Sequence, residues 1–225
     1  MRILVSGTGR SGTNLVTEVV RGLGIVEFTK EIEDKRLFKY KTLPECYGTK
    51  LSCDKPEFSL ENITELMRIH SDFNVVFSFR HPVDICMSKI VRGYGGESPD
   101  RTVEGSIFAV RHFYSLFTAM SEAFPARILG VKMESLLLDP LKEVEAVAKF
   151  FNVKITLQAL RFWEFNRNEH HKRRYKGRIN LTQIDVYKRW KTAYNGFFNR
   201  REEDIITLRK ALGSIVCRLG YEGLE

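Results

Sequence analysis

The chain has 225 residues, 43% of them hydrophobic and 28% charged. That excludes a disordered tail, a collagen-like fibre and a disulfide miniprotein, and leaves apolar material for one globular domain over residues 1–225. Lys plus Arg exceed Asp plus Glu by 36 to 28, for a net charge of +8, which favours anionic partners without saying which anion.

Met1 to Val5 is too short an apolar run for a signal peptide or a membrane anchor, which points to a soluble cytoplasmic protein. Residues 1 to 6 read instead as a short buried strand ending in glycines. Leu15, Val16, Val19, Val20 and Leu23 then recur on one helix face. A weaker strand covers Tyr47 to Cys53. Leu60, Ile63, Leu66 and Met67 share a helix face ahead of a second buried strand, Val75 to Phe79. A long helix covers Val103 to Phe124, and a third buried strand Arg127 to Lys132. Asp139-Pro140 pairs an N-cap with proline at the first helical position, opening a helix that buries Leu141, Val144, Val147 and Phe151. From Phe162 to Arg178 the pattern turns basic and loses its apolar period, as a surface loop does. A closing helix, Glu202 to Leu219, carries Ile205, Ile206, Leu208, Leu212, Ile215, Val216 and Leu219 toward the sheet.

No repeat or linker divides the chain. Strands alternating with helices predict an α/β fold whose parallel sheet is flanked by helices, with ligands beyond the carboxyl ends of the strands. Cys46, Cys53, Cys86 and Cys217 form no Cys-x-x-Cys pair and have no histidine nearby at metal-ligand spacing. They read as reduced, buried thiols, with a Cys46–Cys53 disulfide as the alternative.

Ser6-Gly7-Thr8-Gly9-Arg10-Ser11-Gly12-Thr13-Asn14 lies between the first strand and its helix. Such a turn aims backbone N–H groups and a helix N-terminus at one point, and its glycines allow a bulky anion close to the main chain, so it predicts a phosphate cradle. Gly7 and Gly12 have the spacing of a nucleotide P-loop, but Thr13 replaces its lysine and Asn14 its magnesium hydroxyl. Arg10 supplies the cation. The plainer alternative is a helix cap made by Ser11 or Thr13, with Arg10 in water. A second stretch, Arg80 to Ser88, places an arginine at a strand's carboxyl end, a proline at a helix start and a serine about two turns on. Arg80 and Ser88 suit a second phosphate; a salt-bridged helix start is the alternative.

These residues, together with Val131 to Pro140, Trp190-Lys191 and Leu219 to Glu222, resemble the sulfotransferase family over most of the chain. The resemblance implies a P-loop-like three-layer sandwich and the donor 3′-phosphoadenosine 5′-phosphosulfate, with adenosine 3′,5′-bisphosphate (PAP) as product. It also implies that Arg10, Ser11, Gly12, Thr13 and Asn14 hold the 5′-phosphosulfate and that Arg80, Ser88 and Arg178 hold the 3′-phosphate. Arginine in the loop is closer to the tyrosylprotein and bacterial carbohydrate branches than to cytosolic members. In those branches the base is a glutamate after the first helix, which makes Glu31 the first candidate and Glu27 the next, with Glu33 also nearby. Lys50 resembles a lysine that orients donor or acceptor. His81 is expected to shape the phosphate pocket.

In this reading Arg10 and the loop N–H groups stabilise the leaving phosphate, no metal is required, and an alcohol or phenol gives its proton to a general base. The acceptor expected is the hydroxyl of a carbohydrate or small metabolite, with neither membrane nor nucleic acid as partner. The alternatives are a divergent P-loop kinase and a non-catalytic module that binds nucleotides or polyanions. The basic run from Arg167 to Arg178 is a solvated loop, a cover for the nucleotide or an attractor of an acidic acceptor.

Overall fold

A computed structural model describes residues 1–29, 37–39, 42–55, 57–92, 102–162 and 202–221. Its elements in chain order are β1 (Arg2–Gly7), α1 (Thr13–Gly22), β2 (Tyr47–Ser52), α2 (Leu60–Ile69), β3 (Phe73–Phe79), α3 (Pro82–Arg92), α4 (Val103–Ala123), β4 (Ile128–Lys132), α5 (Met133–Leu138), α6 (Pro140–Phe150), α7 (Leu157–Leu160) and α8 (Glu202–Arg218). Among the described residues the sheet has four strands in the order β2-β1-β3-β4, and every pair is parallel. This is the predicted α/β architecture.

β1 is buried on both faces because it lies between two neighbours under two helix layers. Its side chains alternate between those layers. Leu4 joins Val75, Phe77 and Phe79 of β3 in a core shared with α2, α3, α4 and α8. Ile3, Val5 and Val76 face the other way, onto Leu15, Val16, Val19 and Val20 of α1 and Val144 and Val147 of α6. With β1 and β3 adjacent, the segments that leave their carboxyl ends emerge side by side. These segments are the Gly-rich loop and the Arg80 stretch.

Local chemistry sets the helix starts. The Ser59 hydroxyl accepts the Asn62 N–H at the start of α2, and Thr102 accepts that of Gly105 at the start of α4. Asp139 caps α6 by accepting the Lys142 N–H, with Pro140 in the first turn, as the sequence predicted.

Several expectations change. Leu60, Leu141 and Ile206 are 41%, 52% and 60% exposed, so they do not join the core. The first two lie in first turns, short of the packed faces. α8 packs mainly on α3 and α4, and its Leu208 and Leu212 join the core that covers β3, whereas Ile206 falls off the face defined by Ile205, Leu208, Leu212 and Ile215. α5 was not anticipated. None of the four cysteines is in a disulfide; Cys53 and Cys86 are buried but Cys46 and Cys217 are exposed, since neither exposed cysteine lies on a packed face. Burial pushes the Cys86 thiol up to about 11.

Candidate functional site

The loop after β1 is shaped by its backbone before any side chain acts. Arg10 adopts φ 80 and Gly12 φ 93, so two residues are left-handed within three positions. For Arg10 that conformation costs about 1–2 kcal/mol, and such strain persists only where surrounding contacts over-determine it. At Gly12 a side chain would be strained by φ and would also meet Met133 Sδ at 2.7 Å. A Cβ on Gly9 would come 2.8 Å from Asp54 Oδ2. Both glycines are therefore required by protein neighbours, a constraint beyond the predicted approach of an anion.

Contacts from β3 complete the shape. The Ser78 hydroxyl donates to the Ser11 carbonyl at 2.7 Å, in the interior, and the Ser11 N–H donates to Thr8 O at 3.1 Å. α1 has Gly12 at its N-cap and no side-chain cap hydrogen bond, so neither Ser11 nor Thr13 makes the cap that the plainer reading required. Ser11 is buried, and its Oγ makes no hydrogen bond among the described residues. Arg10 is not simply in water, because its Nε donates to Ser88 Oγ at 3.0 Å. An uncapped helix N-terminus, a buried hydroxyl without a partner and a half-buried guanidinium suit a bound anion. Asn14, one residue into α1, accepts from Lys50 Nζ of β2 at 2.9 Å, which attaches Lys50 to the loop.

The second arm begins where β3 ends. Arg80 is buried, and its Nη2 lies 3.4 Å from Asp84 Oδ2, one turn into α3. The ion pair of the alternative reading therefore exists, yet it does not stand alone: Ser88, two turns along α3 and buried, receives Arg10. The loop and the Arg80–Ser88 stretch meet there.

His81 is fixed from behind. Its backbone N–H donates to Glu134 Oε1 at 2.8 Å, the Tyr221 hydroxyl donates to Glu134 Oε2 at 3.0 Å, and the two rings stand edge to face at 5.2 Å. Burial lowers the His81 pKa, outweighing Asp84 and Glu134, which raise it. Burial and the Glu134 charge raise that of Tyr221. His81 braces the arm through its backbone and its ring.

Glu31, Glu33, Arg178, Trp190 and the Arg167–Arg178 run lie outside the described residues. Glu27 is exposed, on a short segment that pairs in parallel with β2 through Phe28 and Gly48. Sequence reasoning missed Asp54, Lys89 and Ser78, which all contact the loop or a residue tied to it. Lys89 directly follows Ser88 and Asp54 lies just past a strand end, the two signals available in the sequence. No group of three or more His, Cys, Asp or Glu that could hold a metal occurs among the described residues. No described helix is long and apolar enough to cross a membrane.

A parallel sheet with a strained Gly-rich loop beyond a central strand is a P-loop-like α/β fold. Residues 27–157 match the family model described as "Sulfotransferase family". The chain belongs to that family, and it is a transferase. The matched segment begins after the loop, so the loop motif is a separate observation. The sulfotransferase domain of the Synechococcus PCC 7002 olefin synthase is similar in structure, with a TM-score of 0.58 at 13% identity, covering 85% of this chain and 94% of that one. The sulfotransferase domain from the curacin biosynthetic pathway gives 0.56 at 14% identity, over 73% and 78%. Retinol dehydratase gives 0.55 at 13% identity, over 96% and 80%. At such identities the likeness is one of fold. No curated protein matches the chain.

Proposed function

We propose that the enzyme transfers a sulfuryl group from 3′-phosphoadenosine 5′-phosphosulfate to a hydroxyl of a carbohydrate or small metabolite, as one cytoplasmic domain over residues 1–225. The observation that carries this reading is the Arg10–Ser88 contact, which joins a loop suited to one anion to an arm suited to a second. Retinol dehydratase, similar in fold, is known in complex with androsterone and the inactive cofactor PAP, which supports both the donor and a small-molecule acceptor.

In this reading Arg10, Ser11, Gly12, Thr13 and Asn14 hold the 5′-phosphosulfate, while Arg80 and Ser88 hold the 3′-phosphate with Arg178. When bound, the donor supplies a sulfuryl group whose bond to a phosphate oxygen breaks as a bond to the acceptor oxygen forms. Arg10 and the N–H groups at the start of α1 take up the negative charge left on that phosphate. Lys50 holds Asn14 in place. Glu31 accepts the proton lost by the acceptor. Its assignment is supported by the course of Glu27 to Thr29, which run parallel to β2 on the sheet edge toward the loop.

Calorimetry with PAP against ATP, followed by transfer assays across a panel of hydroxyl acceptors, tests the reading. Tight PAP binding with transfer is expected. Tighter, magnesium-dependent ATP binding would replace it with a kinase, and PAP binding with no donor turnover would replace it with a non-catalytic module.

A further inference from the structure

The chain just past β2 folds over the phosphate loop. The Cys53 N–H donates to Gly7 O at 3.1 Å, and Asp54, next along, turns its carboxylate onto the loop's first half. Its Oδ1 accepts the Thr8 hydroxyl at 2.6 Å, and its Oδ2 accepts both the Gly9 N–H at 2.6 Å and the Lys89 ammonium at 2.9 Å. With both oxygens engaged, the carboxylate serves as a tie and not as a proton acceptor in the reaction. The Lys89 side chain is 5% exposed, so this carboxylate faces a buried cation, the setting in which removing one member of an ion pair is most costly. Lys89 belongs to α3, directly after Ser88 and on the helix that Arg80 precedes. Gly9 is needed for the contact, since a Cβ there would meet Asp54 Oδ2. Thr8 and Gly9 lie outside the residues assigned to the phosphosulfate, so Asp54 takes nothing from that set.

We propose that Asp54 and Lys89 form a clamp that fixes the distance between the 5′-phosphate loop and the 3′-phosphate arm, and thereby sets the preference for a nucleotide phosphorylated at both ends. The proposal rests on the donor reading above. Asp54 and Lys89 are positioning residues: they hold the two arms in register and do not themselves contact the reacting atoms. Without the clamp each arm still binds its own phosphate, but one nucleotide no longer satisfies both at once.

The test measures affinity for PAP and for adenosine 5′-monophosphate in the wild type, Asp54→Asn, Lys89→Met, the double variant and Lys89→Arg. The wild type should prefer PAP. Each of Asp54→Asn and Lys89→Met should lower the ratio of PAP to monophosphate affinity by about tenfold, while the double variant loses no more than either one. Lys89→Arg, which keeps the ion pair, should keep the ratio. A general loss of stability would weaken both nucleotides alike and leave the ratio unmoved. If Asp54→Asn does not fold, the comparison of Lys89→Met with Lys89→Arg decides. Wild-type ratios in the folded single variants, or losses that add in the double, would overturn the clamp alone. A wild type with no preference for PAP would overturn the donor reading as well.

Discussion

The Arg10 Nε lies 3.0 Å from the Ser88 Oγ, so a strained loop residue after β1 is tied to the middle of a helix that follows β3. That contact places the one cation inside the loop at the junction of the two arms. Arg10→Ala should abolish detectable transfer, a loss of about 100- to 1,000-fold or more for a donor that stabilises developing charge. Donor turnover measured beside melting temperature checks it, and near-normal turnover in a folded variant would refute the role.

Backbone strain gives Arg10 a second, independent signature. Arg10→Gly relieves a left-handed conformation worth about 1–2 kcal/mol, against about 0.5–1 kcal/mol of extra chain entropy for glycine. The glycine variant should therefore be at least as stable as Arg10→Ala, by up to about 1.5 kcal/mol, with both inactive. Urea unfolding of the pair settles the order.

Arg80→Ala should mainly weaken donor binding. Loss of a charged hydrogen bond is worth about 1.5–3 kcal/mol, roughly 10- to 100-fold in PAP affinity. Calorimetry is the measurement, and wild-type affinity would remove Arg80 from the 3′-phosphate site.

The environment of His81 makes stability depend on pH. Burial lowers its folded pKa, with Arg209 and Arg80 adding to the effect and Asp84 and Glu134 opposing it. The unfolded chain therefore takes up a proton first, and stability is lost as pH falls below the unfolded value of about 6.5. His81→Gln should lose less stability than wild type between pH 7.5 and pH 5.5. Parallel urea titrations at both values would show it, and equal losses would reject it.

If Glu31 is the base, Glu31→Gln should lower turnover by about 100- to 10,000-fold with donor affinity kept. Unchanged turnover would remove it, and the same assay on Glu27→Gln would then identify the next candidate.

Where apolar period and capping chemistry agreed, the fold was legible. Asp139-Pro140 opened α6 where expected, and the continuous Val75–Phe79 run identified a strand buried on both faces. The position of Arg10 between strand and helix identified the loop. What escaped the sequence depends on distance through space. Asp54 follows the weakest strand signal, and its partners Thr8 and Lys89 come from two other parts of the chain; no spacing rule connects them. Leu141 shows the opposite failure: its period matched a core face, but a first turn can lie short of that face and remain exposed.

The β1–β3 pairing, in which Ser6 stands beside Phe77, has a consequence for how the site comes into being. Both arms hang from strands far apart in sequence, so no locally folded fragment would contain the whole of the proposed nucleotide site. Closing so long a loop is entropically costly and slow. Nucleotide binding therefore reports on completed folding: PAP at a hundred times its Kd would add about 2.7 kcal/mol to the assembled sheet and nothing to either half alone.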